Sequence, residues 1–172
     1  VRARLRRDDE IGAQGSAANY QVLGATPEDD LVLDTLGVRG FESAALGAPL
    51  MHDFAAVSLS DLLTPWEVIE KRLTAVAMAD FVTAIYNPRS KRRTDQIVRA
   101  REIFLAHRSP DTPVGIVTAA TRDNEVVTIT TLEKMLDCEI GMQSTVIIGN
   151  SQTYTWNDLM ITPRGYREKY QL

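Results

Sequence analysis

From about residue 43 onward, apolar residues fall into short runs separated by stretches with helical spacing. Phe54-Ala-Ala-Val-Ser-Leu59 has the length and composition of a strand. Thr64-Pro65-Trp66-Glu67 offers an N-cap, a first-turn proline and the glutamate of a capping box. They predict a helix whose Trp66, Ile69, Leu73, Val76 and Ala77, spaced by three and four, form one buried stripe, with Glu67, Glu70, Lys71 and Arg72 mostly outward. The apolar, β-favouring run Asp80 to Tyr86 predicts a second strand, stopped by Asn87-Pro88. Thr94 then caps a helix that buries Ile97, Ala100, Phe104 and Leu105 and ends before the Ser109-Pro110 break.

Pro113 to Val117 and Val126 to Thr130 predict two more strands around the polar turn Thr121 to Glu125. Thr130 and Glu133 supply a second capping box, for a short helix through Leu136. Ser144 to Gly149 is the most apolar strand, and Tyr154 to Ile161 reads as a terminal hairpin turning at Asn157-Asp158. Strands alternating with helices give an α/β class: a mixed, mainly parallel sheet flanked by helices, with an antiparallel edge and the terminal hairpin. Residues 1–42 differ in character. A mixed charge run from Arg2 to Glu10, a Gly/Ala/Ser-rich stretch to Asn19 and an acidic turn at Thr26 to Asp30 describe a loosely packed extension, with at most a short helix or strand near residues 28–36. The organisation is therefore an extension over 1–42 and an α/β domain over 43–172.

A chain of 172 residues that is 44% hydrophobic and 24% charged can bury a real core, which argues against disorder, a collagen-like repeat and a disulfide scaffold. Cys138, the single cysteine, has no internal disulfide partner. With no apolar window near ~18 residues and no signal-like N-terminus, the reading is a soluble, cytoplasmic protein that does not engage the membrane. Net charge of −4 argues against general nucleic-acid binding. The charge is unevenly placed: between Arg89 and Arg108, seven Lys or Arg face two acids, so the rest of the chain sums to −9. That asymmetry suits a small anionic ligand.

Ligands of open α/β sheets bind where strands end in polar loops. Two such loops stand out. In Tyr86-Asn-Pro-Arg-Ser-Lys-Arg-Arg93 four basic residues crowd a helix entrance, where they oppose the helix dipole unless an anion or solvent compensates. In Thr118-Ala-Ala-Thr-Arg-Asp-Asn-Glu125 small residues permit close backbone approach, although a plain turn accounts for them as well. A solvated helix entrance is the plain alternative for the first loop. His52 and His107 show no metal-ligand spacing, His52 reads as structural, and Cys138 between Asp137 and Glu139 is not a nucleophile candidate. Walker, GxSxG and GxGxxG motifs are absent, so hydrolase, kinase and dehydrogenase readings have no support.

The runs Leu46 to Phe54, Ser58 to Glu70, Tyr86 to Arg93, Thr112 to Val117, Ile129 to Leu132, Ser144 to Thr153 and Ile161 to Tyr166 together resemble the precorrin-3B C17-methyltransferases of the cobalamin pathway, a branch of the tetrapyrrole methylase family. The resemblance extends from about Ser43 to Tyr166 and covers mainly the second of the family's two α/β domains, between which S-adenosylmethionine is held. It implies S-adenosylmethionine as cofactor, lined by Tyr86, Asn87, Pro88, Ala119, Ala120, Thr121 and Thr145. It implies precorrin-3B, an anionic tetrapyrrole, as substrate, methylated at C17 with ring contraction. Arg89, Lys91, Arg92 and Arg93 would pair with its carboxylate arms. No metal and no catalytic side chain is assigned. The family's glycine-rich N-terminal loop and Gly-Asp-Pro loop do not occur here, which leaves a fragment, a truncated gene product and a frameshifted region as open readings; the expected partner is a homodimer mate or a separate chain supplying the first domain. The alternative is a non-catalytic tetrapyrrole-binding or assembly module of the same descent.

Overall fold

The computed structural model describes residues 5–6, 21–22, 45–91, 93–120 and 122–163. The chain divides into two compact units, Val1–Gly40 and Phe41–Leu172. In the first, β1 (Leu5–Arg6) pairs antiparallel with β2 (Gln21–Val22), Leu5 opposite Val22. Strands of two residues leave no periodic signature to read. The expected helix or strand near residues 28–36, and the site residues Arg92 and Thr121, lie outside the described residues.

The second unit contains β3 (Gly47–Ala48), β4 (Phe54–Ser58), α1 (Trp66–Met78), β5 (Val82–Tyr86), α2 (Asp95–Leu105), β6 (Pro113–Thr118), β7 (Val126–Thr131), a 3-10 turn (Met135–Asp137), β8 (Ser144–Ile148), β9 (Tyr154–Trp156) and β10 (Leu159–Ile161). The α/β class and the terminal hairpin stand. Asn157 and Asp158 turn that hairpin with φ of 47° and 59°, the left-handed pair that a tight two-residue turn requires.

The parallel bias does not stand. The main sheet runs β4-β5-β8-β6-β7, and of its pairings only β4 with β5 is parallel. β4, β5 and β6 do point the same way, as strands joined through helices should. After the β6–β7 hairpin, however, β8 runs between β5 and β6, antiparallel to both. All five β8 residues are buried. An unbroken apolar run marks a central strand but carries no information on its direction.

The capping expectations are also corrected. Pro65 rather than Thr64 is the N-cap of α1, and its carbonyl accepts from Val68 N at 3.0 Å, with no side-chain cap. Thr94 does occupy the N-cap of α2, but its hydroxyl bonds Asp95 Oδ1 at 2.9 Å instead of a helix amide. Thr130 lies inside β7 and caps nothing.

Two cores flank the sheet. On the helical side Ile69, Leu73 and Ala77 of α1 and Ile97, Ala100 and Phe104 of α2 pack on Val57, Ile85, Ile116, Val146 and Ile148. Burying each large side chain contributes about 1.5–3 kcal/mol, so truncating Leu73 to alanine would cost ~2–5 kcal/mol. On the other face Leu46, Val82, Ala84, Val117, Ile147 and Met160 form a smaller core, with a second sheet ordered β3-β10-β9. Leu46 lies against Gly115, where a Cβ would overlap its side chain. Among the described residues no helix is long and apolar enough to cross a membrane.

Candidate functional site

Because β4, β5 and β6 run in one direction and β8 in the other, the C-terminal ends of the first three meet the start of β8 at one edge. Ser58 is opposite Tyr86, Val117 opposite Thr145, and Thr118 opposite Ser144. Side-chain alternation puts Tyr86 and Thr145 on the face away from the helices, the face shared by Ala84 and Val117. Ala56, in register with Ala84, is exposed on that face despite its position inside a strand. Small residues and an uncovered surface let a ligand approach the backbone of β4 and β5.

Two strand ends adopt a conformation that L-residues avoid. Asn87 follows β5 at φ 51° and Ala119 follows β6 at φ 53°. For alanine the left-handed region costs about 1 kcal/mol, and such outliers concentrate at ligand sites. Ala119 is held there from both sides: its N–H donates to Gln143 O at 3.1 Å, and its carbonyl accepts from Arg122 N at 3.1 Å. Asn87 is held through its side chain, whose Nδ2 donates to Ser58 Oγ at 3.2 Å, and through its carbonyl, which accepts from Arg93 Nη2 at 2.9 Å.

The expected cofactor residues that are described gather at this edge. Tyr86 and Ala120 are half-buried, Asn87 is exposed, and Pro88, Ala119 and Thr145 are buried. The expected substrate residues separate into two kinds. Arg89 and Lys91 are exposed and make no hydrogen bond or ion pair among the described residues. The Arg93 side chain is 15% exposed and turned back into its own loop. Beside Thr118, which opens the second of the loops read from the sequence, the structure adds two hydroxyls that residue patterns did not single out: Ser58 and Ser144. Thr118 Oγ1 and Ser144 Oγ are 2.8 Å apart, and Ser144 Oγ also accepts from Gly141 N at 2.9 Å. Each ends or begins a strand at the same edge, which is the signal that would have found them.

At the opposite edge a depression is lined by His52, Asp53, Asp80, Asn150, Ser151 and Gln152. Its polar groups mostly satisfy one another: Ser151 Oγ donates to Asp80 Oδ2 at 2.6 Å, and Gln152 N to Asn150 Oδ1 at 3.0 Å. Beneath it Arg108, its side chain 2% exposed, donates to the carbonyls of Gly149, of Phe81 at 2.5 Å and of Val76 at 3.3 Å. Desolvation lowers the pKa of Arg108 from its ordinary value, and Asp80, 3.8 Å from its Nε, opposes that shift. This corner is internally bonded, whereas the left-handed strand ends Asn87 and Ala119 lie at the other edge, which is the candidate site.

Residues 43–136, just over half of the chain, match the family described as Tetrapyrrole (Corrin/Porphyrin) Methylases. The chain belongs to the tetrapyrrole methylase family. Among curated members, the cobalt-factor III methyltransferase of Priestia megaterium is 56% identical over 170 residues, which takes in 95% of this chain and 32% of that protein. The probable cobalt-factor III C(17)-methyltransferase of Salmonella typhimurium is 53% identical over 124 residues, 72% of this chain and 52% of that one. The crystal structure of the methyltransferase CobJ superposes with a TM-score of 0.67 at 31% identity, covering 81% of this chain and 66% of that chain. This tetrapyrrole methylase sequence thus spans between about a third and two thirds of these three proteins.

Proposed function

We propose that the chain takes part in S-adenosylmethionine-dependent C-methylation of a corrin precursor in cobalamin biosynthesis, at C17 with ring contraction, in the cytoplasm. The observation that carries this reading is its 56% identity to a cobalt-factor III methyltransferase across 95% of its length. The relatives' names favour cobalt-factor III over precorrin-3B as the form of the macrocycle.

Methyl transfer from a sulfonium is an in-line displacement at carbon, so the protein's tasks are alignment and exclusion of water, with no nucleophilic side chain needed. The edge described above suits that role. In our reading the backbone at Asn87 and Ala119, the small side chains of Ala119 and Ala120, and Tyr86, Pro88, Thr121 and Thr145 hold the cofactor, which supplies the methyl group. Arg89, Lys91 and Arg92 face the carboxylates of the macrocycle. The family's glycine-rich and Gly-Asp-Pro loops belong to the first domain, so we infer that turnover needs that domain alongside.

The test is transfer of labelled methyl from S-adenosylmethionine to cobalt-factor III and to precorrin-3B, with this chain alone and with a supplied first domain. Label in the macrocycle with matching release of S-adenosylhomocysteine supports the reading. Macrocycle binding without transfer in either arrangement would leave a non-catalytic binding module in its place.

A further inference from the structure

Of the basic residues at the entrance to α2, Arg93 alone among those described is committed to internal partners. Its Nη2 donates to the Asn87 carbonyl at 2.9 Å, its Nη1 lies 3.5 Å from Ser60 Oγ, and Nη1 is 3.9 Å from Asp61 Oδ1. Its backbone closes the same loop, since Ser90 N donates to Arg93 O at 2.9 Å and Arg93 N to Ser90 O at 3.3 Å. The β4–α1 loop is gripped from the same side. Ser58 Oγ accepts from both Ser60 N and Asn87 Nδ2, each at 3.2 Å, and Asp61 Oδ2 accepts from Gln96 Nε2 of α2 at 2.6 Å. One planar guanidinium therefore connects the turn after β5 with the loop after β4, through acceptors that only a fork of donors can reach together.

We infer that Arg93 is a positioning residue of the candidate site: by bridging Asn87, Ser60 and Asp61 it fixes the left-handed turn after β5 against the loop after β4, and it does not itself contact substrate. This rests on the methyltransferase reading for its consequence and on geometry alone for its cause. A left-handed Asn87 turns the chain sharply at the strand end, and the direction in which Pro88 and Arg89 leave the sheet follows from it. If the turn relaxed, the exposed Arg89 and Lys91 would lose their placement while keeping their charge. A residue that merely added stability would affect the whole domain evenly.

The experiment compares amide hydrogen exchange in the intact chain and in the Arg93→Gln, Arg93→Lys and Arg89→Ala variants, with urea stability measured on each, and titrates each with S-adenosylhomocysteine. The amides to follow are Leu59, which donates to Tyr86 O at 3.0 Å, and Ser90. Expected is roughly tenfold faster exchange at both in Arg93→Gln, the equivalent of ~1.4 kcal/mol of local opening, beyond any change at the β8 amides. Arg93→Lys should fall between, because one ammonium replaces part of the fork. Arg89→Ala, with the same charge loss, should leave both amides unchanged. Uniform acceleration across β8 and the loop, or none in the loop, overturns the assignment. The exchange result stands whether or not S-adenosylhomocysteine binds. If the intact chain binds it, Arg93→Gln should weaken affinity about tenfold, and unchanged affinity beside a loosened loop would also overturn the positioning role.

Discussion

Replacing Arg108 with methionine tests what closes the edge of the sheet opposite the site. The guanidinium fans out to three carbonyls that end α1, precede β5 and follow β8. Methionine fills similar volume without a donor. Val76 O would retain Phe81 N, at 3.1 Å, and Phe81 O would retain the Thr83 hydroxyl, at 3.0 Å, but Gly149 O would lose the partner it has. Hydrogen bonds from a charged donor contribute ~1.5–3 kcal/mol each, and the two shorter ones are lost outright. Part of that loss is offset because a guanidinium no longer has to be desolvated, and Asp80, 42% exposed, can stay in water. The net cost should be about 3 kcal/mol, a fall in Tm of roughly 6–12 °C for a chain of this size. Urea denaturation followed by tryptophan fluorescence, using Trp66 and Trp156, measures it. Arg108→Lys should lose most of the same stability, since a single ammonium cannot span the three acceptors. A change below ~0.5 kcal/mol in Arg108→Met would refute the reasoning, showing that these carbonyls are satisfied without the guanidinium. The pH dependence has a definite sign. Between the lowered folded pKa of Arg108 and the ordinary arginine value the unfolded chain binds more protons, so its contribution makes stability rise with pH there. Below that window the burial cost is constant, so wild type and Arg108→Met should differ by the same amount at pH 6 and pH 8.

Gly115→Ala would drive a methyl into Leu46 and should cost about 1–3 kcal/mol; in combination with Leu46→Ala the losses should be less than additive, as a double-mutant cycle in urea would reveal. Asn87→Gly should be tolerated to within ~1 kcal/mol, because glycine adopts φ near 51° freely, whereas Asn87→Val should destabilise the loop and weaken S-adenosylhomocysteine binding in an NMR titration. Arg89→Ala and Lys91→Ala should each weaken binding of the carboxylated macrocycle severalfold at low salt and by much less at high salt, with Tm unchanged; equal affinities at both salts would place the substrate elsewhere.

What the residues alone determined was local. The stripe Trp66, Ile69, Leu73, Val76, Ala77 and the pattern Ile97, Ala100, Phe104 located both helices, and Asn157-Asp158 located the hairpin turn, because side-chain period and turn chemistry depend on neighbours a few positions away. The strands from β4 onward were legible for the same reason, to within two residues at each end, while the two-residue strands β1, β2 and β3 were not. Pairing was not. Nothing in Ser144 to Ile148 announces that β8 enters between β5 and β6, since a partner is chosen by non-local hydrogen bonds and by which apolar faces remain uncovered. The candidate site was half legible: strand-end loops at Tyr86 to Arg93 and Thr118 to Glu125 could be read in advance, but their meeting with Ser58 and Ser144 required the sheet. The arginines divide most sharply. Arg89, Arg93 and Arg108 look alike as letters, yet the first lies in solvent, the second braces a loop and the third lies under a corner of the fold. A long cationic side chain takes its role from the acceptors that tertiary structure brings within its reach, and most of these come from residues some thirty positions away.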